Sequence, residues 1–332
     1  MPGQSAPALA VAFGWQSVLD SAGPQAARIE DLWWVYFWVC AAVFVLVFLA
    51  LVMAVFRGRR GKGDPTDPGA PHPPASERRL TRTVAGATAA TAVILIGLLV
   101  ATVAASRATS SLPGDPLTIE LTGQQWWWQV RYEDPTPSRM VTTANEIHIP
   151  VGRPVRVKTR STDVIHSFWV PNLHGKRDLI PGRPSEILIQ ADRPGVFRGQ
   201  CAEFCGYQHA NMALLVVAEP PETFAAWYEA QLQPARPPSD ALQQRGKVVF
   251  EALPCPLCHT IAGTQASGKT APDLTHLASR RMLAAGTLPN TRGHLGGWIL
   301  DPQTIKPGNK MPAVSLGSDD LRALLAYLES LR

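Results

Sequence analysis

Five cysteines in 332 residues are too few for a disulfide framework. Four of them fall into two tight motifs around Cys201 and Cys255, and the fifth, Cys40, lies in an apolar run as inert packing. Charge is also scarce. Charged residues make up 17% of the chain, and the net charge is only +5. The basic residues gather partly in one loop, which speaks against a nucleic-acid partner. Two stretches carry no charge at all, 25 residues at 32–56 and 23 residues at 83–105. The first 27 residues contain no Lys or Arg, so they lack the charged start of a cleaved secretory signal. Neither cysteine motif is accompanied by a paired nucleophile and base, which argues against a self-contained enzyme.

The uncharged stretches are long enough to cross a bilayer. Trp33, Trp34, Tyr36 and Trp38 crowd the first turns of 32–56, as interfacial aromatics do. The run at 83–105 is rich in Ala, Thr and Gly, which suits packing against other helices, and a buried soluble helix is its alternative reading. Between the two, Arg57, Arg59, Arg60, Lys62, Arg78, Arg79 and Arg82 outnumber Asp64, Asp67 and Glu77. The positive-inside rule places that loop in the cytoplasm and both termini outside. Its Pro- and Gly-dense part, 64–76, reads as disordered.

The first motif, Cys201-Ala-Glu-Phe-Cys205-Gly-Tyr-Gln-His209-Ala-Asn-Met212, holds two thiols, an imidazole and a thioether, with His166 upstream. Soft sulfur with imidazole suits copper. A blue-copper site needs one cysteine, so the second is most simply used if both bridge two coppers, each capped by a histidine. Tetrahedral zinc on Cys201, Cys205, His209 and His166 is the alternative, with Met212 left as packing. The second motif, Cys255-Pro-Leu-Cys258-His259, is the C-x-x-C-H pattern of covalent haem attachment. A redox dithiol or half a zinc site would also contain C-x-x-C, but no second pair follows and the histidine is immediate. A sixth iron ligand is usually methionine. Met282 falls in a predicted helix. Met311 lies in a Pro- and Gly-rich loop, free of helical constraint, and is the chosen ligand.

From Leu112 the chain turns to short strand patterns at 117–121, 126–132, 146–149, 155–159, 187–189, 196–200 and 214–217, which predict a β-sandwich. A helix at 222–232 and a stiff Pro-rich linker follow.

The metal loop, the segment Asp163-Val-Ile-His166-Ser-Phe-Trp-Val-Pro171, the turn Ile180-Pro-Gly-Arg183 and the run Gly123-Gln-Gln-Trp126-Trp127-Trp128 stand in the order found in cytochrome c oxidase subunit II. The chain closely resembles that family. The resemblance implies a cupredoxin fold and a dinuclear copper centre, CuA, that accepts single electrons. It implies ligation by the side chains of His166, Cys201, Cys205, His209 and Met212 and by the backbone carbonyl of Glu203. It also implies a magnesium at the subunit I interface reached by the Glu203 carboxylate, and electron arrival through Trp126. Residues 239–332 resemble a class I cytochrome c. There Cys255 and Cys258 attach haem c, and His259 and Met311 bind the iron. A helix bearing Gly246 and Phe250 crosses a C-terminal helix at 321–331 bearing Tyr327, and Pro272 offers its carbonyl to His259.

The expected fold is a membrane-anchored multidomain protein with a two-helix transmembrane hairpin, a β-sandwich cupredoxin domain and a small all-α class I cytochrome c domain. Its expected bounds are an extracytoplasmic segment at 1–31, a hairpin at 32–106 with its cytoplasmic loop at 57–82, a CuA domain at 107–233, a linker at 234–238 and a cytochrome c domain at 239–332. The fused cytochrome narrows the resemblance to caa-type terminal oxidases, in which tethering raises the donor's effective concentration. The resemblance implies electron transfer from an external donor, such as cytochrome c or a bc-type complex, through haem c and CuA to subunit I. There oxygen is reduced and protons are pumped. Further oxidase subunits and membrane lipid are the other implied partners. The implied location is the bacterial cytoplasmic membrane, with both cofactor domains on its outer side. A CuA subunit of a nitric oxide reductase and an anchored carrier without a catalytic partner are the alternatives. Glu77 is read as a solvated loop charge, and His72, His148, His174, His276 and His294 as surface or structural residues.

Overall fold

The computed structural model describes residues 16–60 and 74–332. Two helices, α1 (Pro24–Arg60) and α2 (Pro74–Thr109), form the bulk of one unit. Their apolar windows have mean hydropathies of 3.1 and 2.3, and neither is buried against protein. That removes the reading of the second run as a soluble core helix. Side chains such as Phe44, Leu46 and Val93 face outward and need an apolar solvent. Tyr36 Oη and Thr102 Oγ1, 2.9 Å apart, link the helices, as does an Arg28 guanidinium bond to the Ala108 carbonyl. Both helices outrun the uncharged stretches because their charged ends continue the same backbone pattern. Glu77 therefore lies in the first turn of α2, where a loop was expected. Lys62, Asp64, Asp67, His72 and most of the 64–76 segment lie outside the described residues.

The second unit holds a β-sandwich and a helical domain. The strands are β1 (Leu117–Gln124), β2 (Trp127–Tyr132), β3 (Val141–Ala144), β4 (Glu146–Pro150), β5 (Val155–Ser161), β6 (His166–Trp169), β7 (Arg177–Leu179), β8 (Ser185–Ile189), β9 (Gly195–Cys201) and β10 (Ala213–Glu219). One sheet runs β3-β2-β1-β5-β8 and the other β4-β10-β9-β6-β7. Period-two patterning explains the faces. In β5, Val155, Val157, Thr159 and Ser161 are buried, whereas Lys158 and Arg160 are exposed. Two strands, β3 and β7, were not foreseen. Both are short edge strands, and β7 is polar, so pairing at a sheet edge rather than hydrophobic pattern makes them strands. Residues just before α1 bond to the sandwich. Ala22 donates its amide to Asn172 O at 2.7 Å and accepts from Asp192 N at 2.7 Å.

After α3 (Pro221–Gln231) come α4 (Ala241–Ala252), the one-turn α5 (Cys255–Cys258), a small ribbon of β11 (Met282–Leu283) and β12 (Leu288–Pro289), α6 (Arg292–Leu300), α7 (Pro302–Ile305) and α8 (Ser318–Leu328). Asp240 caps α4 by accepting the Gln243 amide at 2.8 Å. Helices α4 and α8 cross at Gly246, where a Cβ would sit 2.0 Å from Ala323 O. Phe250 and Tyr327 meet edge to face beside that crossing, with centroids 6.1 Å apart. The terminal helix starts and ends three residues before the expected 321–331, because Gly317 forms its N-cap and Glu329 its C-cap. Met282 stands on β11, not on a helix. The following turn holds Ala284, Ala285 and Gly286 at positive φ, a shape no helix can continue through.

A buried charge cluster joins the sandwich to the helical domain. His148 makes one ring bond to Glu146 at 3.0 Å and another to Glu219 at 3.1 Å, and its ring stacks on Trp227 at 4.2 Å. The second Glu146 oxygen accepts the Arg281 amide of the helical domain at 3.0 Å. Burial disfavours the His148 cation, but the two carboxylate bonds outweigh it and raise its pKa. Burial likewise opposes the Glu146 charge, and bonds from His148 and Arg281 hold its pKa below the ordinary range. The histidine's contribution to stability is complete below its unfolded pKa and fades as pH rises through the raised folded value. That of Glu146 is complete above its unfolded pKa and fades as pH falls through the lowered one. The stability difference between the parent chain and His148→Gln should therefore be widest between about pH 4.5 and 6.5 and shrink on both sides. Urea midpoints across pH measure it, and a difference that does not vary with pH would dismiss the ionised cluster.

Candidate copper and haem centres

The loop between β9 and β10 is closed at its base by the Cys201 amide, which donates to Met212 O at 2.8 Å. That rung places both ends of the twelve-residue motif at one end of the sandwich. Cys201 Sγ and Cys205 Sγ lie 3.7 Å apart. His166 Nδ1, arriving on β6, is 3.8 Å from Cys201 Sγ. His209 Nδ1 is 3.6 Å and Met212 Sδ 3.8 Å from Cys205 Sγ. The Glu203 carbonyl lies 3.1 Å from Cys201 Sγ, while its carboxylate points outward, 4.0 Å from Lys176 Nζ. All six sequence candidates therefore meet in one cluster.

The chemistry of this donor set fits two copper ions better than one zinc. Two sulfurs sit side by side at the centre, an imidazole approaches each, and a fully buried thioether points into the group rather than away from it. Zinc would leave that sulfur unused. In the metal-free chain the two thiols share one negative charge. The bond from Cys205 pulls Cys201 down to about 3, and the same bond pushes Cys205 far above the thiol range.

The surrounding residues fix the ligands. Asp163 Oδ1 lies 2.8 Å from His166 Nε2, which leaves Nδ1 facing the sulfurs. The carboxylate also accepts the amides of Gln125 and Val164 at 2.6 and 2.7 Å. Burial disfavours charge on both partners, yet these bonds hold the Asp163 carboxyl low, and bonds to Cys201 and then Asp163 keep the His166 imidazole high. The three adjacent tryptophans separate by position. Trp126 Nε1 donates to Cys205 O at 2.9 Å, and Trp128 fills the core with its ring 6.0 Å from His166. Trp127 is half-buried on β2. Phe204 and Tyr207 of the loop are 75% and 92% exposed and form an apolar rim open to a partner.

In the helical domain, α5 presents Cys255, half-buried, and Cys258, exposed, as free thiols. His259 Nδ1 bonds the Pro272 carbonyl at 2.7 Å, as the resemblance implied, and Nε2 is the nitrogen that could hold an iron. Burial keeps that imidazole neutral, the form that binds metal. Met311 packs at the edge of the hydrophobic cluster built on Phe250, Leu277, Ile299 and Tyr327. Two thioether-forming thiols, an oriented imidazole and a loop methionine fit haem c.

Two residues at these sites escaped the sequence reading. Asp163 had a usable signal, a carboxylate three residues before a ligand histidine. Lys306 had none. Its side chain is buried, and its Nζ donates to Trp126 O at 2.8 Å, Asn211 O at 2.7 Å and Ala284 O at 3.0 Å. Removing the His166 partner should weaken the metal centre. We expect Asp163→Ala to lower copper affinity about 10–100-fold, measured by competition with a Cu(I) chelator. Unaltered affinity would mean that Asp163 does not orient the ligand.

Residues 134–219 match the family described as cytochrome c oxidase subunit II, periplasmic domain, and residues 243–332 match the cytochrome c family. Cytochrome c oxidase subunit 2 of Alkalihalophilus pseudofirmus is 35% identical over 323 residues, covering 95% of this chain and 91% of its own length. Its counterpart from a Bacillus species is 31% identical over 229 residues, covering 65% of this chain and 62% of its own. A crystal structure of the periplasmic domain of subunit II of cytochrome oxidase from Bradyrhizobium japonicum is 34% identical and covers 36% of this chain and 96% of that one, with a TM-score of 0.34. With the two family matches falling in sequence order and the full-length relative spanning both, the chain belongs to the cytochrome c oxidase subunit II family, in the form that carries a fused cytochrome c domain.

Proposed function

We propose that this chain is the electron-input subunit of a haem-copper terminal oxidase of the bacterial cytoplasmic membrane. It takes electrons from an external donor and hands them to subunit I, where oxygen is reduced to water and protons are pumped. Residues 32–106 anchor it, and the copper and haem domains stand on the outer side. When bound, a dinuclear copper centre and haem c supply one-electron redox chemistry. His166, Cys201, Cys205, His209, Met212 and the Glu203 carbonyl hold the copper, and Cys255, Cys258, His259 and Met311 hold the haem. The Glu203 carboxylate is the side chain that would reach a magnesium at the subunit I interface.

One observation carries this reading. The loop that bears Met311 lies against the loop that bears the copper ligands. Gln208 Nε2 donates to Pro307 O at 2.8 Å, and a Cβ on Gly308 would sit 3.6 Å from the Trp126 ring. The Trp126 indole thus touches the copper loop through Nε1 and the haem domain through its ring edge. Its burial, 9% exposed, excludes water from the gap. A tryptophan bridging the two donor sets is where an electron would cross.

The complex isolated through a tag on this chain should consume oxygen when given reduced donor, with cyanide sensitivity and proton release. Nitric oxide turnover without oxygen uptake would move the chain to a reductase. Recovery without partner subunits would make it a free carrier. Within the complex, Trp126→Phe should slow electron transfer from haem c to copper by roughly tenfold or more while the copper spectrum stays the same. The indole bond to Cys205 O is lost in this variant, at a cost of about 1 kcal/mol. Equal stopped-flow rates in the two chains would remove the role of Trp126.

A further inference from the structure

A lysine ammonium is among the costliest groups to bury, and it is tolerated when each N–H finds an acceptor. Lys306 is 2% exposed, and its three donors meet three backbone carbonyls from three separate segments. Ala284 belongs to the haem domain itself. Trp126 immediately precedes β2, and Asn211 immediately precedes Met212, so two acceptors belong to the copper domain. The contact is continued on either side. The Ala213 amide donates across it to Ala285 O at 2.9 Å, and Gln208 reaches Pro307 O. Asn211 Nδ2 in turn bonds Gln208 Oε1 at 2.8 Å, which ties the copper loop's own acceptors together. Lys306 sits five residues before Met311, on the same loop.

We propose that Lys306 is a latch. It holds the haem domain docked on the copper loop, so that electron transfer runs within a fixed contact instead of waiting for a tether to bring two mobile domains together. This assignment rests on the relay reading above. Lys306 touches no reacting atom and acts as a positioning residue. A linker alone would supply effective concentration, with every transfer gated by diffusion of the domain. A saturated, buried ammonium supplies register instead. It sets the Met311 loop against Trp126 and leaves no freedom to slide, because sliding would break both bonds to the copper domain at once.

The test uses the full chain in its oxidase complex, comparing Lys306→Met, which keeps the length and loses the donors, with Lys158→Met at an exposed lysine of β5. Two readouts separate docking from chemistry. One is hydrogen exchange of the Ala213 and Arg281 amides, which bond across the contact. The other is the rate of haem c to copper electron transfer as glycerol raises viscosity. The parent and Lys158→Met should keep both amides protected and show a rate independent of viscosity. In Lys306→Met, the Trp126 carbonyl loses its lysine donor, and the Asn211 and Ala284 carbonyls keep only the Thr287 hydroxyl. Exchange at Ala213 should then rise about tenfold or more, and transfer should slow and become viscosity-dependent. Protected amides with viscosity-independent transfer in Lys306→Met would overturn the latch. Faster exchange with unaltered transfer would overturn the relay reading and leave the docking itself standing.

Should Lys306→Met fail to fold, the parent chain can be given a protease site between Pro237 and Ser239 and cut. Co-elution of the two pieces supports a docked state, and their separation on gel filtration overturns it.

Discussion

Everything at the copper end depends on one backbone rung. The Cys201 amide bonding Met212 O closes β9 and β10 into a loop whose ends cannot drift apart. Three residues separate one cysteine from the other, so the two sulfurs converge from a single short segment. Only His166 has to come from elsewhere. It does so on β6, which pairs with β9 at Phe168 and Cys201, and that register sets the imidazole beside the first sulfur. The sandwich is in this sense a frame for delivering one distant ligand to a loop that already holds the rest.

The haem domain extends the same logic through backbone bonds. Its core needs little beyond the α4–α8 crossing, which Gly246 alone allows to close. What makes the domain useful is how it lies on its neighbour. Polar contacts of two kinds join them: a buried ionised pair around Glu146 and His148 on one side, and carbonyl acceptors around Lys306 on the other. Both place charge where water is excluded, so each depends on its partners remaining in place.

Much of this was legible in the residues because metal chemistry constrains spacing tightly. The candidate ligands of the Cys201–Met212 and Cys255–His259 motifs were picked out without help from the fold, and the Pro272 carbonyl bonds His259 as the family resemblance implied. Hydrophobic runs likewise announced α1 and α2, although not where their charged ends would stop. The strands that went unread, β3 and β7, are held by edge pairing and carry little pattern of their own. Met282 was misplaced on a helix because the positive-φ turn at Ala284 and Ala285 uses residues with good helix propensity. Lys306 lay beyond reach for a different reason. Its two partners in the copper domain are more than 90 residues away, and an acceptor that is a backbone carbonyl leaves no mark in the sequence.

That last property has a consequence for how such a fusion can change over time. Trp126, Asn211 and Ala284 meet the ammonium with their main chains, so the identities of their side chains are not read by it. The two domains can therefore exchange most of their surface residues without having to change in step. What must be inherited together is small: one long cationic side chain, and three peptide groups held at the right depth by loops of unchanged length. An insertion in either loop would do more harm to the joint than many substitutions around it.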